Sequence, residues 1–199
     1  FCNCQKGDSI LKLTKRIFSG LLAAMMLFTT AFAVNDSATT KAANALTFAF
    51  KPIIGSEVYV ARRRMQDKEG KPDQSGYHLI LLAKNLKGYH NLIKIVSKAW
   101  TEGFYMRPRT DRVELEKYHE GLICCSACLA GEVPRAITAD DMQKAEEAIL
   151  WHKKLFGDDY YLELQLHKAS VERANHEAYP MQLKVNEHLR RLAAKHGVR

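Results

Sequence analysis

Glu57, His78, Cys125, Cys128, Glu163 and His167 are the residues of this chain whose types and placement suit metal or proton chemistry. A carboxylate, an imidazole and a thiolate converging from neighbouring strands can hold a divalent ion. Cys125-x-x-Cys128 matches half of a zinc site or a redox pair. No second pair lies near it, and it lacks the helix start that redox pairs use. Plain structural roles compete with each reading. Glu57 suits a strand residue with its carboxylate in solvent, and His78 suits a core histidine bonded to backbone. Cys124, Cys125 and Cys128 suit small buried hydrophobes. His90, His119, His152, His188 and His196 fall on helical stretches or their ends and read as solvated. Arg62 to Arg64 reads as a solvated charge run that can touch phosphates.

The elements that must position these groups alternate between strand and helix. Pro52 to Ala61 is rich in β-branched and aromatic residues and reads as a strand holding Glu57. Arg62 to Gly76 is charged, carries Gly70, Pro72 and Gly76, and reads as a loop. Tyr77 to Ala83 is a short apolar run, a buried strand opened by His78. Leu92, Ile93, Val96 and Trp100 recur at helical spacing over Tyr89 to Trp100. Thr110-Asp111 starts a short helix ending near His119, and Gly121 to Cys125 reads as a strand. Thr138 to Asp141 is an N-cap signal for a helix that stops before Gly157. Asp159 to Gln165 reads as a strand, and Pro180 sits in the first turn of a helix closed by Gly197. Strands alternating with helices predict a mostly parallel α/β sheet with covered faces, its chemistry at the C-terminal strand ends.

The chain has 199 residues, 47% hydrophobic and 26% charged, which suffices for a real core. Its 11 glycines and 5 prolines exclude collagen-like and low-complexity classes, and 5 cysteines in this length do not make a disulfide scaffold. A net charge of +8 permits an anionic partner without demanding one. All 8 histidines lie after residue 77.

The first fifty residues differ in character. Lys12, Lys15 and Arg16 precede an uncharged apolar stretch, Ile17 to Phe28, and Ala31-Phe32-Ala33 is an A-x-A site. Residues 12–33 therefore have the pattern of a secretory signal; a membrane anchor and a buried helix are the other readings of the run. Residues 35–47 are small and polar and read as a linker. Cys2 and Cys4 lack a second pair and read as incidental. The chain opens Phe1-Cys2-Asn3 and closes Gly197-Val198-Arg199 just after a helical stretch, so a fragment is expected.

Several stretches together resemble one family. They are Phe50 to Ala61 with its Gly55-Ser56-Glu57, Tyr77 to Asn85 with Gly88 to Leu92, and Arg107-Pro-Arg-Thr-Asp111. Gly121 to Glu132 with its Ser126-Ala-Cys128-Leu129, and Asp159 to Leu164, complete the set. In that order they resemble the polymerase-and-histidinol-phosphatase (PHP) domain at the start of bacterial DNA polymerase III alpha subunits. The resemblance covers residues 50–199 and leaves out residues 1–49, a leader and linker expected to be foreign to the domain.

The resemblance implies an α/β fold, a partial distorted β/α barrel with a multinuclear metal site at its rim. It matches Glu57, His78 and Cys128 to ligand positions for a divalent metal, zinc or manganese. It implies no catalytic residue of this chain and leaves nucleic-acid-binding residues open. The family's early His-x-His, Asp and His-Gly groups are absent upstream of Glu57, and its closing Asp-x-His motif would follow Gly197. Ser56 stands where a cysteine is common, and Leu166-His167 stands where the strand often continues to an arginine. The implied parent is a cytoplasmic DNA-directed DNA polymerase, with magnesium in a polymerase domain absent here and with DNA and other replicase subunits as partners. No stable membrane partner is expected for residues 50–199, and the fragment alone is expected to be inactive. The leader conflicts with a cytoplasmic replicase. The expected resolution is a foreign segment joined to a polymerase fragment; a non-catalytic scaffold and a secreted metal-dependent phosphoesterase are the alternatives.

Overall fold

A computed structural model describes residues 52–172 and 178–199. The leader pattern of 12–33, the linker of 35–47, and Cys2 and Cys4 lie outside the described residues. The unit Pro52–Arg199 carries the fold and the candidate site.

Among the described residues, five strands and six α-helices follow in chain order: β1 (Gly55–Val60), α1 (Gly70–Asp73), β2 (Tyr77–Ala83), α2 (Leu86–Thr101), β3 (Arg109–Thr110), α3 (Arg112–Tyr118), β4 (Leu122–Cys125), α4 (Glu132–Thr138), α5 (Met142–Phe156), β5 (Tyr160–Tyr161) and α6 (Ala178–His196). The strands form one sheet in the order β3-β1-β2-β4-β5. The expected mostly parallel sheet is corrected here. β2 runs antiparallel to both β1 and β4, while β1–β3 and β4–β5 are parallel. The reason lies in the β1–β2 connection. Its single-turn helix α1 is too short for a crossover, so the chain returns beside β1 in the opposite sense.

The reversal matters for the site. Because β2 is inverted, its first residues lie beside the last residues of β1, with Tyr59 opposite His78 and Val60 opposite Tyr77. His78 opens its strand and still stands at the rim where β1 ends.

The sheet has two unlike faces, as period-two alternation requires. Val58, Val60, Leu79, Leu81, Leu122 and Cys124 are buried. They join Leu92 and Ile95 of α2, Leu115 of α3, Ile137 of α4, Ile149 of α5 and Leu189 of α6 in one core. Truncating a fully buried member such as Leu81 or Ile95 to alanine costs about 2–5 kcal/mol. The alternate residues Glu57, Tyr59, His78, Ile80 and Cys125 are half-buried or exposed. They make up the face that carries the chemistry.

Local signals account for most helix starts. Asn85, Asp111 and Asp141 each accept a backbone N–H three residues on, from Gly88, Glu114 and Lys144. α2 approaches β4 so closely that a Cβ on Gly88 would stand 1.8 Å from the Gly121 carbonyl oxygen.

Further expectations are revised. The strand read over Asp159 to Gln165 shrinks to Tyr160–Tyr161. His152 is buried: its Nδ1–H donates to the Ala148 carbonyl at 2.8 Å and its ring stacks on Tyr160. The His196 side chain is only 11% exposed and stands 3.3 Å from Glu146. Arg62 to Arg64 are exposed, as a solvated charge run should be, and two of them are also paired. Arg63 is bonded to Asp73, and the Arg64 Nε donates to Asp111 at 2.8 Å. Among the described residues no helix is long and apolar enough to cross a membrane.

Candidate metal centre

Glu57, His78 and Cys128 come together although 71 residues separate the first from the last. The β1–β2 register makes Glu57 a diagonal neighbour of His78 on the open face. Glu57 Oε1 lies 2.5 Å from His78 Nδ1, and Cys128 Sγ lies 3.5 Å from the same nitrogen. The Glu57 side chain is 45% exposed and that of His78 is 25% exposed, so a solvated ion can reach them.

The loop after β4 delivers Cys128. Ala127 adopts φ 61°, and the Gly131 N–H closes a turn on the Cys128 carbonyl at 2.8 Å. The His78 N–H donates to the Ala130 carbonyl at 3.1 Å, which ties the loop to the start of β2. Gly131 is needed there, because a Cβ would stand 2.2 Å from the Ser126 carbonyl oxygen. The Ala130 N–H donates to Cys128 Sγ at 3.4 Å, a further tie within the turn.

Tyr59 closes one side of the histidine. Its ring meets that of His78 edge-on, with centroids 4.9 Å apart. Arg107 in turn donates to the Tyr59 hydroxyl at 3.0 Å, bringing a cation to the rim.

The other candidates take different roles. Burial pushes the Cys125 thiol up, with the Glu163 charge adding to it, and burial holds Cys124 well above the ordinary range. Neither is poised as a thiolate, and all three described cysteines are free. The redox-pair reading of Cys125 and Cys128 therefore finds no support. Glu163 lines a small hollow with Cys128, but its Oε1 is engaged by Gln165. His167 is turned to α6, where Gln182 takes its backbone N–H at 2.7 Å and donates to its Nδ1 at 2.9 Å.

Both neighbours of His78 address Nδ1. With Nδ1–H donated to the Glu57 carboxylate, Nε2 keeps its lone pair for a metal. The oxygen, nitrogen and sulfur donors suit a borderline ion such as zinc. Among the described residues no group of three or more His, Cys, Asp or Glu side chains is arranged to hold a metal ion. Glu57, His78 and Cys128 have donor atoms of suitable chemistry and fall short of such a group.

Sequence reasoning missed the bracing behind this rim. Arg109 is fully buried, and its guanidinium donates to the carbonyls of Met65, Asp67 and Gly103. Asp111 accepts from Arg64, from the Met65 N–H at 3.0 Å and from the Glu114 N–H at 3.0 Å. Burial pushes the Asp111 carboxyl up, but these donors outweigh it and hold it below the usual range. The Arg-Thr-Asp run at 109–111 is the available signal, since buried polar residues need internal partners.

A family model described as the PHP domain matches residues 23–167. Three DNA polymerase III alpha subunits are similar to this chain. That of Borreliella burgdorferi is 55% identical over 121 residues, 59% of this chain and 10% of that protein. That of Thermus aquaticus is 42% identical over 150 residues, 74% of this chain and 12% of that protein. That of Aquifex aeolicus is 40% identical over 155 residues, 75% and 12% respectively. The chain spans about a tenth of the length of these curated relatives.

Proposed function

The chain belongs to the PHP domain family, and from that premise we propose that it is the metal-site portion of a replicative DNA polymerase alpha subunit. The observation that carries this reading is the convergence of Glu57, His78 and Cys128 on one rim, in a chain 55% identical over 121 residues to such a subunit. The described unit is a partial PHP-type α/β fold, five strands backed by helices on one face. The parent activity would be DNA-directed DNA polymerisation in the cytoplasm, with DNA and other replicase subunits as partners. We assign residues 50–199 to the PHP part and residues 1–49 to a leader, a division drawn from the sequence pattern; the family match itself begins at residue 23.

His78 and Cys128 would hold a zinc or manganese ion, with Glu57 orienting the imidazole or taking a coordination position itself. Such an ion supplies Lewis acidity and a bound water of lowered pKa. The chain's own part is to fix the imidazole through Glu57 and Tyr59 and to present the sulfur through the 126–131 turn. Three donors hold an ion weakly, so the chain alone is inactive as a phosphoesterase. Magnesium belongs to the polymerase chemistry of the parent.

Cobalt(II) titration of the full chain tests the centre. A thiolate-to-cobalt absorption band that disappears in Cys128→Ser and in His78→Ala is expected. A spectrum of free aquated cobalt at millimolar protein would overturn the metal reading. It would leave a scaffold role.

A further inference from the structure

We propose that the cleft around Tyr77, on the helix side of β2, binds the phosphate backbone of single-stranded nucleic acid. The cleft has a volume of about 440 Å³, and Arg62, Arg63, Arg64, Arg112 and Lys144 line it together with Glu132 and Glu147. A second hollow of about 200 Å³ shares Arg62, Tyr77 and Lys144 and adds Arg135 and Asp141.

Internal pairing sorts these charges. Arg63 is bound to Asp73, Arg64 to Asp111 and Arg112 to Glu132. Glu147 accepts from Gln143 at 2.9 Å, and Asp141 caps α5 through the Lys144 N–H. Arg62, Arg135 and Lys144 have no carboxylate partner among the described residues, where most neighbouring cations do. Two of them meet at one ring. The Arg62 guanidinium lies 5.5 Å and the Lys144 ammonium 5.8 Å from the Tyr77 centroid, and Lys144 also donates to the Tyr77 hydroxyl at 3.2 Å. Like charges gathered at one aromatic ring repel. An anion between them reverses the sign of that term, and phosphate takes charge-assisted bonds from both.

The shape selects a chain over a single ion. The two hollows share Arg62, Tyr77 and Lys144 as lining, so cations stand along both. Cations interleaved with an aromatic ring along an open groove suit a polyanion with one charge per repeating unit. The site is separate from the metal centre, because Tyr77 and His78 are consecutive strand residues and project to opposite faces of β2.

The test is anisotropy of a labelled oligothymidylate titrated with the full chain in chelator, where no metal centre contributes, over a range of salt. Arg62→Gln and Lys144→Gln are each expected to reduce the magnitude of the slope of log K against log salt by about 0.7, the share of one phosphate on a single strand. Lys154→Gln, an exposed change elsewhere on α5, is expected to leave it unchanged. An unchanged affinity and slope in the Arg62→Gln/Lys144→Gln double variant would overturn the proposal. So would displacement by inorganic phosphate at equal phosphate concentration, which would mark a single-phosphate site. Amine acylation of the unsubstituted chain answers the same question without relying on a variant that folds: oligothymidylate should shield Lys144 and not Lys154. Equal labelling of Lys144 with and without the oligonucleotide would count against it.

Discussion

Glu57 Oε1 lies 2.5 Å from His78 Nδ1 across the antiparallel β1–β2 pair, and this contact decides which nitrogen of the imidazole is free. A carboxylate holding Nδ1–H fixes the ring and leaves Nε2 as the nitrogen with a lone pair. The same contact makes Glu57 either an orienting group or a ligand in exchange for it, two roles that substitutions separate.

Glu57→Gln keeps a hydrogen-bonding oxygen beside Nδ1 and removes the charge. As an orienting group, Glu57 predicts a loss of about 10–100-fold in zinc affinity on this change. His78→Ala should remove measurable binding. Competition against a chromophoric chelator reads both. Equal affinities for wild type and His78→Ala would show that the ion binds elsewhere.

Gly131 anchors the turn that carries Cys128. In Gly131→Ala the new Cβ would meet the Ser126 carbonyl oxygen at 2.2 Å, so the backbone must shift. A stability loss of about 1–3 kcal/mol is expected, with zinc affinity falling as Cys128 moves from His78. Urea unfolding and chelator competition on the same sample measure the two effects. Wild-type behaviour in both would mean that the turn has slack.

How far these features can be read from sequence depends on which physical signal sets them. β2 is plain because Tyr77–Ala83 is a short apolar run ending before an N-cap asparagine. Its direction is not, since alternation assigns faces and carries no sense of travel. β3 is two residues, Arg109 and Thr110, whose strand character comes from pairing with Tyr59 and Val60. α4 starts at Gly131 without a side-chain cap and runs seven residues, too short for a period to emerge. The meeting of Glu57 with His78 follows from motif resemblance alone; the register that explains it is a tertiary fact. His152 is readable in principle, because it continues the stripe of Ala145, Ala148, Ile149 and Phe156 at helical spacing.

Asp73, Asp111 and Glu114 all have carboxyls held below the usual range. For Asp73 the Arg63 hydrogen bond leads; for Asp111 and Glu114 burial pushes up and is outweighed by Arg64 and by Lys98 and Lys117. A depressed folded-state pKa gives stability that is present above the unfolded value near about 4 and lost as pH falls through the folded value. Thermal unfolding should therefore hold its midpoint down to about pH 4 and then drop. Asp111→Asn should lower the midpoint at pH 7 and flatten that drop. An acid limb as steep as in wild type would exclude Asp111 as a contributor.

His152 acts in a higher window. Burial lowers its pKa, the Ala148 carbonyl and the Glu132 charge only partly opposing. The unfolded chain then binds the proton more readily than the folded one, so stability rises with pH. The contribution is complete above the unfolded value of about 6.5 and is lost as pH falls below it through the lowered folded value. Between about pH 7 and pH 5.5 the urea midpoint of the wild-type chain should fall. His152→Phe keeps a ring to stack on Tyr160 and cannot titrate, so its midpoint should stay level over that interval, although lower overall because the Ala148 carbonyl loses its side-chain donor. A wild-type slope surviving in His152→Phe would assign the transition to another histidine.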